Sequence, residues 1–374
     1  MKVVIVNCFD TYEERVKLIR DFFKEQGDEV SVISSDFSHS SKKKREIEEN
    51  GFFYLKTRQY KKNLSFKRLK SHQKFSEEAF MKVKEIEPDV LYILVPPNSL
   101  VKQAALYKKK YPKVKIILDI IDLWPETLPL KRGKNLFPIS AWKNIRSNYV
   151  NCADLIITEC DLYQEVLVNE LRDIPQVTLH LAKNKIQLNK NVMLSNEKFD
   201  IAYLGSINNI VDIDQIVQII NNLLKVRPVT LHVIGNGESK DTLINSVAMT
   251  GAKIKYYGII YDEKEKQDIF SKCHYGLNIM KQTVCVGLTM KSIDYFQHGL
   301  PILNNIQADT TRIVENYSVG INISDGFNAL NNLNDEYFLH QRIQVKTVFD
   351  EHFSIEAFNK KLETIYKENL KYEK

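Results

Sequence analysis

The chain has 374 residues, of which 44% are hydrophobic and 27% charged, and its formal net charge is +6. This length predicts two or more domains with ordinary hydrophobic cores. No apolar run reaches the roughly 18 residues that a membrane-spanning helix needs. The first residues enter a strand pattern directly, so we expect no signal peptide. The five cysteines form no CxxC pair, which favours reduced, cytoplasmic thiols and argues against a metal or redox role.

The first half alternates apolar runs with helical periods, which is typical of a doubly wound α/β sheet. Lys2–Asn7 is a predicted buried strand, and Tyr12–Gln26 a predicted helix that ends at Gly27. Further strands are predicted at Val30–Ser34, Val90–Val95, Ile116–Asp119, Leu155–Thr158 and Val177–Leu181. A polar stretch rich in Lys and Asn then reads as a linker, residues 184–199.

The second half repeats this rhythm. Strands are predicted at Ile201–Leu204, Val229–Ile234, Ile254–Tyr257 and Tyr275–Ile279, and a further short strand opens at residues 300–303. Helices are predicted at Ile213–Val226, Glu238–Met249, Glu263–Ser271, Thr289–Gln297 and, at the end, Ile355–Leu370. Ligands of such sheets bind outside the carboxyl ends of the strands.

The stretch 51–75 is strongly basic. Eight Lys or Arg and no acid lie between Gly51 and Ser76, interleaved with the aromatic residues Phe52, Phe53, Tyr54, Tyr60, Phe66 and Phe75. Three interpretations are open: contact with an anionic membrane surface, a stacking groove for nucleic acid, or a solvated basic face.

The segment from Val286 to Ile323 is the most informative part of the chain. A loop with Gly287, Leu288 and Thr289 meets the start of a helix, where backbone N–H groups attract phosphate. Lys291 would add a positive charge, and Asp294, one turn later, would accept hydrogen bonds from ribose hydroxyls. The pattern favours a nucleoside diphosphate.

A known motif runs through this segment. K-x-x-[ED]-Y-x-x-x-G-x-P followed by an acidic turn and a late Gly is matched by Lys291, Asp294, Tyr295, Gly299, Pro301, Glu315 and Gly320. In these residues the chain resembles GT-B glycosyltransferases, of a divergent family-4-like type, that assemble bacterial capsular and exopolysaccharides. Other segments are similar to that family: FDIAYLGS at 199–206, VIGNGE at 233–238, YYGI at 256–259, DLWPE at 122–126 and ADLIIT at 153–158.

The resemblance implies a fold and a domain division. The expected architecture is α/β, with two Rossmann-like doubly wound domains facing a cleft. Residues 1–183 would bind the acceptor and 200–354 the nucleotide-sugar donor, and a C-terminal helix at 355–374 would cross back to pack on the first domain. The implied activity is transfer of a hexose or related sugar, most commonly UDP-linked, to a lipid-linked or other glycan acceptor, with no cofactor and no metal.

The resemblance also implies donor-binding residues, namely Gly205, Ser206, Tyr257, Gly258, Ile259, Gly287, Leu288, Thr289, Lys291 and Asp294. Some of these have structural alternatives, because Thr289 could cap a helix and the glycines could serve only as turns. Asp212 and Asp214 spell DxD, a metal-diphosphate signature of another glycosyltransferase fold, but helix capping explains them better.

An inverting transferase needs a general base in the first domain. The candidates are Asp122, Glu126 and Glu13, with Asp10 and Glu14 at the same edge. Glu13 and Glu14 could instead be first-turn acids that complement a helix dipole. The chain departs from the retaining pattern E-x7-E, because Val286 stands where the first acid would be, so the anomeric outcome does not follow from the resemblance.

The resemblance favours the membrane interpretation of 51–75, because such enzymes usually act on lipid-linked acceptors. We therefore expect a cytoplasmic protein, peripheral at the inner face of the plasma membrane, with no nucleic-acid partner and the option of a homo-oligomer. Two alternatives keep the fold: a sugar-nucleotide epimerase and a non-catalytic partner subunit. A dinucleotide oxidoreductase is disfavoured, because no G-x-G-x-x-G follows the first strand.

Overall fold

The computed structural model describes residues 1–45, 49–61, 65–127, 139–188, 192, 194–327 and 335–370. The chain divides into two compact units. Unit 1 comprises Met1–Leu181 together with Phe358–Lys374, and unit 2 comprises Ala182–Ala357.

Unit 1 is built on one parallel sheet. Its described strands are β1 (Lys2–Asn7), β2 (Glu29–Ser35), β3 (Phe52–Leu55), β4 (Val90–Val95), β5 (Lys115–Ile120), β6 (Leu155–Thr158) and β7 (Gln176–Thr178). They are ordered β3-β2-β1-β4-β5-β6-β7, and every pairing is parallel. Its helices are α1 (Glu13–Glu25), α2 (Phe66–Ile86), α3 (Asn98–Lys110), α4 (Ile139–Ser147), α5 (Asp161–Val166) and α6 (Val168–Leu171).

Unit 2 repeats this architecture. Its described strands are β8 (Phe199–Leu204), β9 (Val229–Ile234), β10 (Lys253–Gly258), β11 (Tyr275–Asn278), β12 (Ile302–Asn304) and β13 (Gly320–Asn322). They form a parallel sheet in the order β10-β9-β8-β11-β12-β13. Its helices are α7 (Ile213–Leu224), α8 (Lys240–Ala248), α9 (Glu263–Phe270), α10 (Met290–Gln297), α11 (Asp309–Tyr317) and α12 (Asp335–Val348).

The sheets are covered on both faces, which explains why their strands read as apolar runs. Every residue of β4, β8 and β9 is buried. On α7 the buried residues recur at helical spacing, and they pack into the core of unit 2 beneath β8 and β9: Ile216, Ile219, Ile220 and Leu223.

The last helix is α13 (Ile355–Asn369), and its residues from Phe358 onward belong to unit 1. The Tyr366 hydroxyl donates to Asp28 Oδ2 at 3.1 Å, and the Tyr366 ring contacts Phe22 and Phe23 edge-on. Arg15 lies over the Phe358 ring, 5.4 Å from its centroid. These contacts attach α13 to α1 and to the turn that follows it.

The predicted doubly wound α/β class is confirmed, and most strands lie within a residue or two of their predicted positions. Several described elements were not predicted, namely the strands β3 and β13 and the helices α2, α3, α4, α5, α6, α11 and α12. No described helix is long and apolar enough to cross a membrane. All five cysteines are free thiols.

Candidate functional sites at the carboxyl ends of the two sheets

In unit 2, three glycine turns meet at the carboxyl edge of the sheet. Gly205 follows β8, Gly235 follows β9, and Gly258 ends β10, each with a positive φ. The Gly205 N–H donates to Ile234 O at 2.9 Å, and the Gly235 N–H donates to Gly258 O at 2.6 Å. A Cβ on Gly235 would lie 1.9 Å from Gly205 O, so only glycine permits this approach. Gly235 thus forms a tight turn that packs against the Gly205 loop.

Lys291 lies against the Gly205 loop. Its ammonium is 4.3 Å from the Tyr203 ring centroid, and its Cε is 3.8 Å from where a Cβ on Gly205 would be. Burial lowers the pKa of Lys291 to about 8. Lys291 is therefore not an ordinary solvated helix lysine. Its charge is held in a partly desolvated position, where an added anion would stabilise it.

Tyr295 fixes the position of α10 relative to β8. Its ring is buried against Gly276, where a Cβ would lie 2.7 Å from the ring carbons. The Leu204 N–H donates to the Tyr295 hydroxyl oxygen at 2.8 Å, and that hydroxyl donates to Ala202 O at 3.1 Å. One side chain thus holds the helix beside the strand whose end carries Gly205.

The start of α10 is capped by Thr289. Its hydroxyl oxygen accepts from the Ser292 N–H at 3.0 Å, and its hydroxyl donates to Asn278 Oδ1 at 2.8 Å. The Thr289 hydroxyl thus donates one hydrogen bond and accepts another within the protein. Its contribution to a ligand site would be to fix the start of α10. The Gly287 carbonyl accepts from the Thr310 N–H and hydroxyl at 2.9 and 2.6 Å, which anchors the loop before Leu288.

Asp294 forms an ion pair with Lys183, which belongs to the same unit. The pair is partly exposed, with 17% of the Asp294 side chain and 23% of the Lys183 side chain accessible. Sequence reasoning placed Lys183 at the end of the first domain and missed this contact. A ribose at Asp294 would have to share the carboxylate with that lysine.

The Tyr257–Ile259 loop is held by a buried network. The His232 Nε2–H donates to Asp200 Oδ1 at 2.8 Å, and the Tyr257 hydroxyl donates to His232 Nδ1 at 2.8 Å. Burial alone would raise the pKa of Asp200, but hydrogen bonds from His232 and Lys198 outweigh it and lower that pKa. Ile259 is 56% exposed beside this network, so the loop presents apolar surface.

Asp212 and Ser206 are two further residues of unit 2 that the sequence analysis singled out. Asp212 is the N-cap of α7, and its carboxylate accepts from the Gln215 N–H at 3.1 Å, which confirms the capping explanation of DxD. Ser206 follows Gly205 with its carbonyl accepting from the Tyr203 hydroxyl at 2.8 Å. Among the described residues, no group of three His, Cys, Asp or Glu is placed to hold a metal ion.

In unit 1, Asp122 follows β5 and is half-buried. Burial raises the pKa of its carboxyl to about 6, although hydrogen bonds from neighbours such as Thr127 oppose the shift. The Thr127 hydroxyl donates to Asp122 Oδ1 at 2.8 Å. A carboxylate with this pKa accepts a proton more readily than an ordinary aspartate and is still mostly ionised at neutral pH.

The other two predicted bases are engaged in ion pairs. Glu126 accepts from both terminal nitrogens of buried Arg146, at 2.6 and 3.1 Å, and Lys143 lies 3.6 Å away. Glu13 begins α1 and pairs with Arg45. Both carboxylates are thus paired with cationic side chains, which makes Asp122 the favoured candidate for the base.

Asp10, at the same edge, is also held internally. It accepts from the Ser38 and Ser40 hydroxyls and from the His39 N–H. Burial alone would raise the pKa of Asp10, but these hydrogen bonds outweigh it and lower the pKa.

A group of residues that sequence reasoning missed surrounds this edge. Arg68 is only 2% exposed, and its Cζ lies over Trp124, 3.6 Å from the ring centroid. Burial lowers the pKa of Arg68 to about 10. His39 Nδ1 is 2.6 Å from the Tyr60 hydroxyl, and burial lowers the pKa of His39 to about 4. Arg68 sits in a run of lysines, so no local signal distinguished it from its exposed neighbours.

The basic stretch 51–75 needs a correction. Tyr60 and Phe75 are 4% and 1% exposed, so these rings belong to the interior and cannot lie at a membrane interface. Arg68 is buried as well. One face of α2 remains exposed, and at its start it carries Phe66, which is 73% accessible, with Lys67, Lys70 and Lys74. Lys62 lies outside the described residues.

The fold is shared with solved structures over nearly the whole chain. The lipopolysaccharide outer core galactosyltransferase WaaB has a TM-score of 0.69 at 11% identity, covering 98% of this chain and 99% of WaaB. Anabaena Alr3699/HepE, solved with UDP and glucose, has a TM-score of 0.63 at 12% identity, covering 98% and 99%. The UDP-GlcNAc 2-epimerase of Neisseria meningitidis, bound to UDP-GlcNAc, has a TM-score of 0.56 at 12% identity, covering 98% and 100%.

No protein-family model and no curated protein matches the sequence. Identities this low establish the fold and leave the activity open. The chain therefore has the GT-B fold, with two Rossmann-like α/β domains.

Proposed function

We propose that this protein is a glycosyltransferase that moves a sugar from a nucleotide-sugar donor, UDP-linked, to a lipid-linked or other glycan acceptor of bacterial surface-polysaccharide synthesis. One observation carries the proposal: Lys291 lies beside the Gly205 loop at the start of α10. A partly desolvated lysine, a glycine loop and a helix start at one sheet edge suit a diphosphate.

On the donor side, transfer requires that charge on the leaving nucleoside diphosphate be stabilised as the bond to the sugar breaks. The first N–H groups of α10 precede the helical hydrogen-bond ladder, which begins with the Ile293 N–H donating to Thr289 O. The Ser292 N–H already donates to the Thr289 hydroxyl, so we assign the Met290 and Lys291 N–H groups and the Lys291 ammonium to the diphosphate. Asp294 would accept from the ribose, and the exposed Ile259 loop would pack on the base.

On the acceptor side, we assign the general base to Asp122. Its carboxylate would take the proton of the acceptor hydroxyl while the acceptor oxygen bonds to the anomeric carbon. The bond from that carbon to the diphosphate oxygen breaks, and the diphosphate leaves with its electron pair. A single displacement of this kind inverts the anomeric configuration.

The nucleotide class can be tested by thermal shift with UDP, GDP, dTDP and NAD. We expect UDP to give the largest increase in Tm, since binding to the native state alone stabilises it. The variant Lys291→Gln should lose most of that increase. A larger shift with NAD, or equal shifts in both proteins, would contradict the assignment. Incubation with UDP-sugars and lipid-linked oligosaccharides then tests transfer.

An epimerase is the second candidate, because the UDP-GlcNAc 2-epimerase of N. meningitidis shares the fold. An epimerase interconverts two nucleotide sugars in the absence of any acceptor, whereas a transferase forms product only when an acceptor is present. Analysis of the nucleotide-sugar pool with and without acceptor separates the two activities.

The exposed start of α2 supports a peripheral contact with the inner face of the membrane. Each basic residue near anionic headgroups contributes about 1 kcal/mol, and Phe66 would enter the interface. Sedimentation with phosphatidylglycerol vesicles should decrease strongly when Lys67, Lys70 and Lys74 are all changed to Gln. The matched control changes three other exposed lysines of unit 1, Lys109, Lys110 and Lys113. Equal losses in both triple variants would indicate only general charge attraction.

A further inference from the structure

Three neighbouring strands of unit 2 end in asparagine. Asn278, Asn304 and Asn322 are the last residues of β11, β12 and β13, and the strand register places Asn304 opposite both others. We call these three residues the asparagine row. Their side chains are buried, with exposures of 0%, 0% and 5%. Burial of an amide is costly unless it is hydrogen-bonded, and valine or isoleucine would complete a strand without that cost. The asparagine row therefore indicates a role beyond filling the core.

The asparagine row forms a continuous chain of side-chain hydrogen bonds. Asn278 Nδ2 donates to Asn304 Oδ1 at 2.9 Å, and Asn304 Nδ2 donates to Asn322 Oδ1 at 2.9 Å. Asn322 Nδ2 in turn donates to Glu315 Oε1 on α11 at 3.3 Å. At the other end of the row, Asn278 Oδ1 accepts from the Thr289 hydroxyl at 2.8 Å. The chain thus connects the N-cap of α10 with α11 across three strands.

Backbone groups fix the direction of these hydrogen bonds. The Ile306 N–H donates to Asn304 Oδ1 at 3.1 Å, and the Ile306 carbonyl accepts from Asn304 Nδ2 at 2.8 Å, so the Asn304 amide has one orientation. Its oxygen faces Asn278, which must therefore use its own nitrogen there and present its oxygen to Thr289. The Thr289 hydroxyl donates to that oxygen, and its lone pairs remain for the Ser292 N–H. The asparagine row thus orients the hydroxyl that caps α10.

Asn278 differs from the other members of the row in its partners. Asn304 bonds to the backbone of Ile306, and Asn322 donates to Thr311 O at 3.2 Å, so both satisfy backbone groups of neighbouring segments. The described hydrogen bonds of the Asn278 side chain are with the side chains of Thr289 and Asn304. The effect of Asn278 is therefore directed at Thr289 and, through it, at the start of α10.

We propose that Asn278 is a positioning residue for the diphosphate of the donor, acting by holding the Thr289 hydroxyl and with it the first turn of α10. This inference rests on the proposed function, because it concerns the same diphosphate site. The Met290 and Lys291 N–H groups follow Thr289 directly in the chain, so a change in the cap displaces them. Small displacements of positioned groups have large effects on binding and reaction. The base is assigned to the Ile259 loop, which lies outside the asparagine row.

The test compares UDP with uridine, which lacks the diphosphate, by ligand-observed NMR. Asn278→Leu replaces the amide by an apolar side chain of similar shape. It should weaken UDP binding about tenfold, the scale of a hydrogen bond to a charged group, and leave uridine binding unchanged. Gln341→Met is the matched control, because Gln341 is a fully buried amide of unit 2 that bonds to Tyr275 and Gly320. It should change neither affinity. Equal losses of UDP binding in the two variants, or no loss in Asn278→Leu, would overturn the proposal.

Amide hydrogen exchange tests the helix start without any nucleotide. The amides of residues 290–293 should exchange several-fold faster in Asn278→Leu than in the unaltered protein, and at an unchanged rate in Gln341→Met. Unchanged exchange in Asn278→Leu would overturn the proposal even where UDP binds. Failure of the unaltered protein to bind UDP would instead contradict the proposed function, and exchange would still decide whether Asn278 holds the helix start.

Should Asn278→Leu not fold, NMR of the unaltered protein decides the question. The side-chain amide resonances of Asn278 should shift on addition of UDP and remain unchanged with uridine, because only UDP occupies the diphosphate site. A shift with UDP alone supports the proposal, and no shift, or equal shifts with both compounds, overturns it.

Discussion

The carboxyl ends of the two sheets differ in the groups that form them: backbone groups in unit 2 and side chains in unit 1. In unit 2 the edge consists of backbone: glycine turns in contact, a capped helix start and one lysine that the protein holds partly out of water. In unit 1 the corresponding edge consists of buried and half-buried side chains, among which Asp122, Arg68 and His39 all have a pKa shifted from the ordinary value by desolvation. The same architecture thus supports two kinds of chemistry, fixed dipoles for an anion and titrating groups for a proton.

Substitutions at the two edges should therefore have different effects. Substitutions in unit 2 should act through backbone geometry and anion affinity, whereas those in unit 1 should act through protonation. Four experiments address this contrast, beginning with the largest expected effect.

Asp122→Asn should lower kcat by about 10²–10⁴, the usual contribution of a general base, with little change in nucleotide affinity. In the unaltered enzyme kcat/KM should fall as the pH drops through about 6, because protonation removes the base. Steady-state kinetics from pH 5 to 8 measure both effects. Glu126→Gln is the control, and it should not move the pH at which activity is lost. An unchanged acid limb in Asp122→Asn would exclude Asp122 as the base.

Gly235→Ala should destabilise unit 2 by about 3 kcal/mol or more, because overpacking and a strained backbone each cost about 1–3 kcal/mol. The new Cβ would collide with Gly205 O. Gly251→Ala is the matched control, because Gly251 also has a positive φ but no atom lies within 4 Å of its Cβ position. It should lose only about 1 kcal/mol by urea unfolding. Similar losses in the two variants would mean that the glycine contact contributes nothing.

Lys291→Met should weaken UDP binding by about 10–100-fold, the scale of a charge-assisted hydrogen bond of about 1.5–3 kcal/mol. In the unaltered protein UDP affinity should fall as the pH rises above about 8. Above that pH Lys291 is deprotonated in the free protein, whereas in the complex the bound anion keeps it protonated, so binding must take up a proton. The same variant should raise the Tm of the free protein at pH 7, since it removes a desolvated charge. Calorimetry at pH 7 and 9 measures the affinities, and a pH-independent affinity would remove Lys291 from the phosphate site.

Tyr295→Phe should cost about 1–3 kcal/mol, because it leaves the buried Leu204 N–H without its acceptor. UDP affinity should decrease with it, since the hydroxyl ties α10 to the strand that carries the Gly205 loop. Tyr275→Phe is the comparison. It removes a buried hydroxyl that donates to Gln341 Oε1, away from the Gly205 loop. Nucleotide binding that falls equally in both variants would point to a general loss of stability.

Much of this fold can be predicted from the sequence, because the strands of a parallel sheet that is covered on both faces are continuous apolar runs. Val90–Val95 and Val229–Ile234 were predicted with their final bounds for this reason. α2 was not predicted, because its buried face includes polar residues, among them Arg68, Ser71 and His72. A search for apolar residues at helical spacing does not detect such a face.

The sites were less predictable than the fold. The motif around Lys291 pointed to a phosphate-binding helix start, and Lys291 does lie beside Gly205. The partners that set their chemistry are distant in the chain: Lys183 pairs with Asp294, and Arg146 occupies Glu126. Such pairs cannot be predicted from the spacing of residues along the sequence. The shifted pKa of Asp122 cannot be predicted either, because it results from burial in the folded protein.

The division of unit 1 has a consequence for the order in which the protein is made. Its core lacks Phe358 and Tyr366 until the ribosome has translated all of unit 2, which is continuous in the chain. During synthesis the N-terminal part of unit 1 therefore exposes the α1 surface around Phe22 and Phe23 until α13 has been made. A polypeptide terminated before α13 would retain that exposed patch permanently, and it is the form of this protein that chaperones and proteases would recognise first.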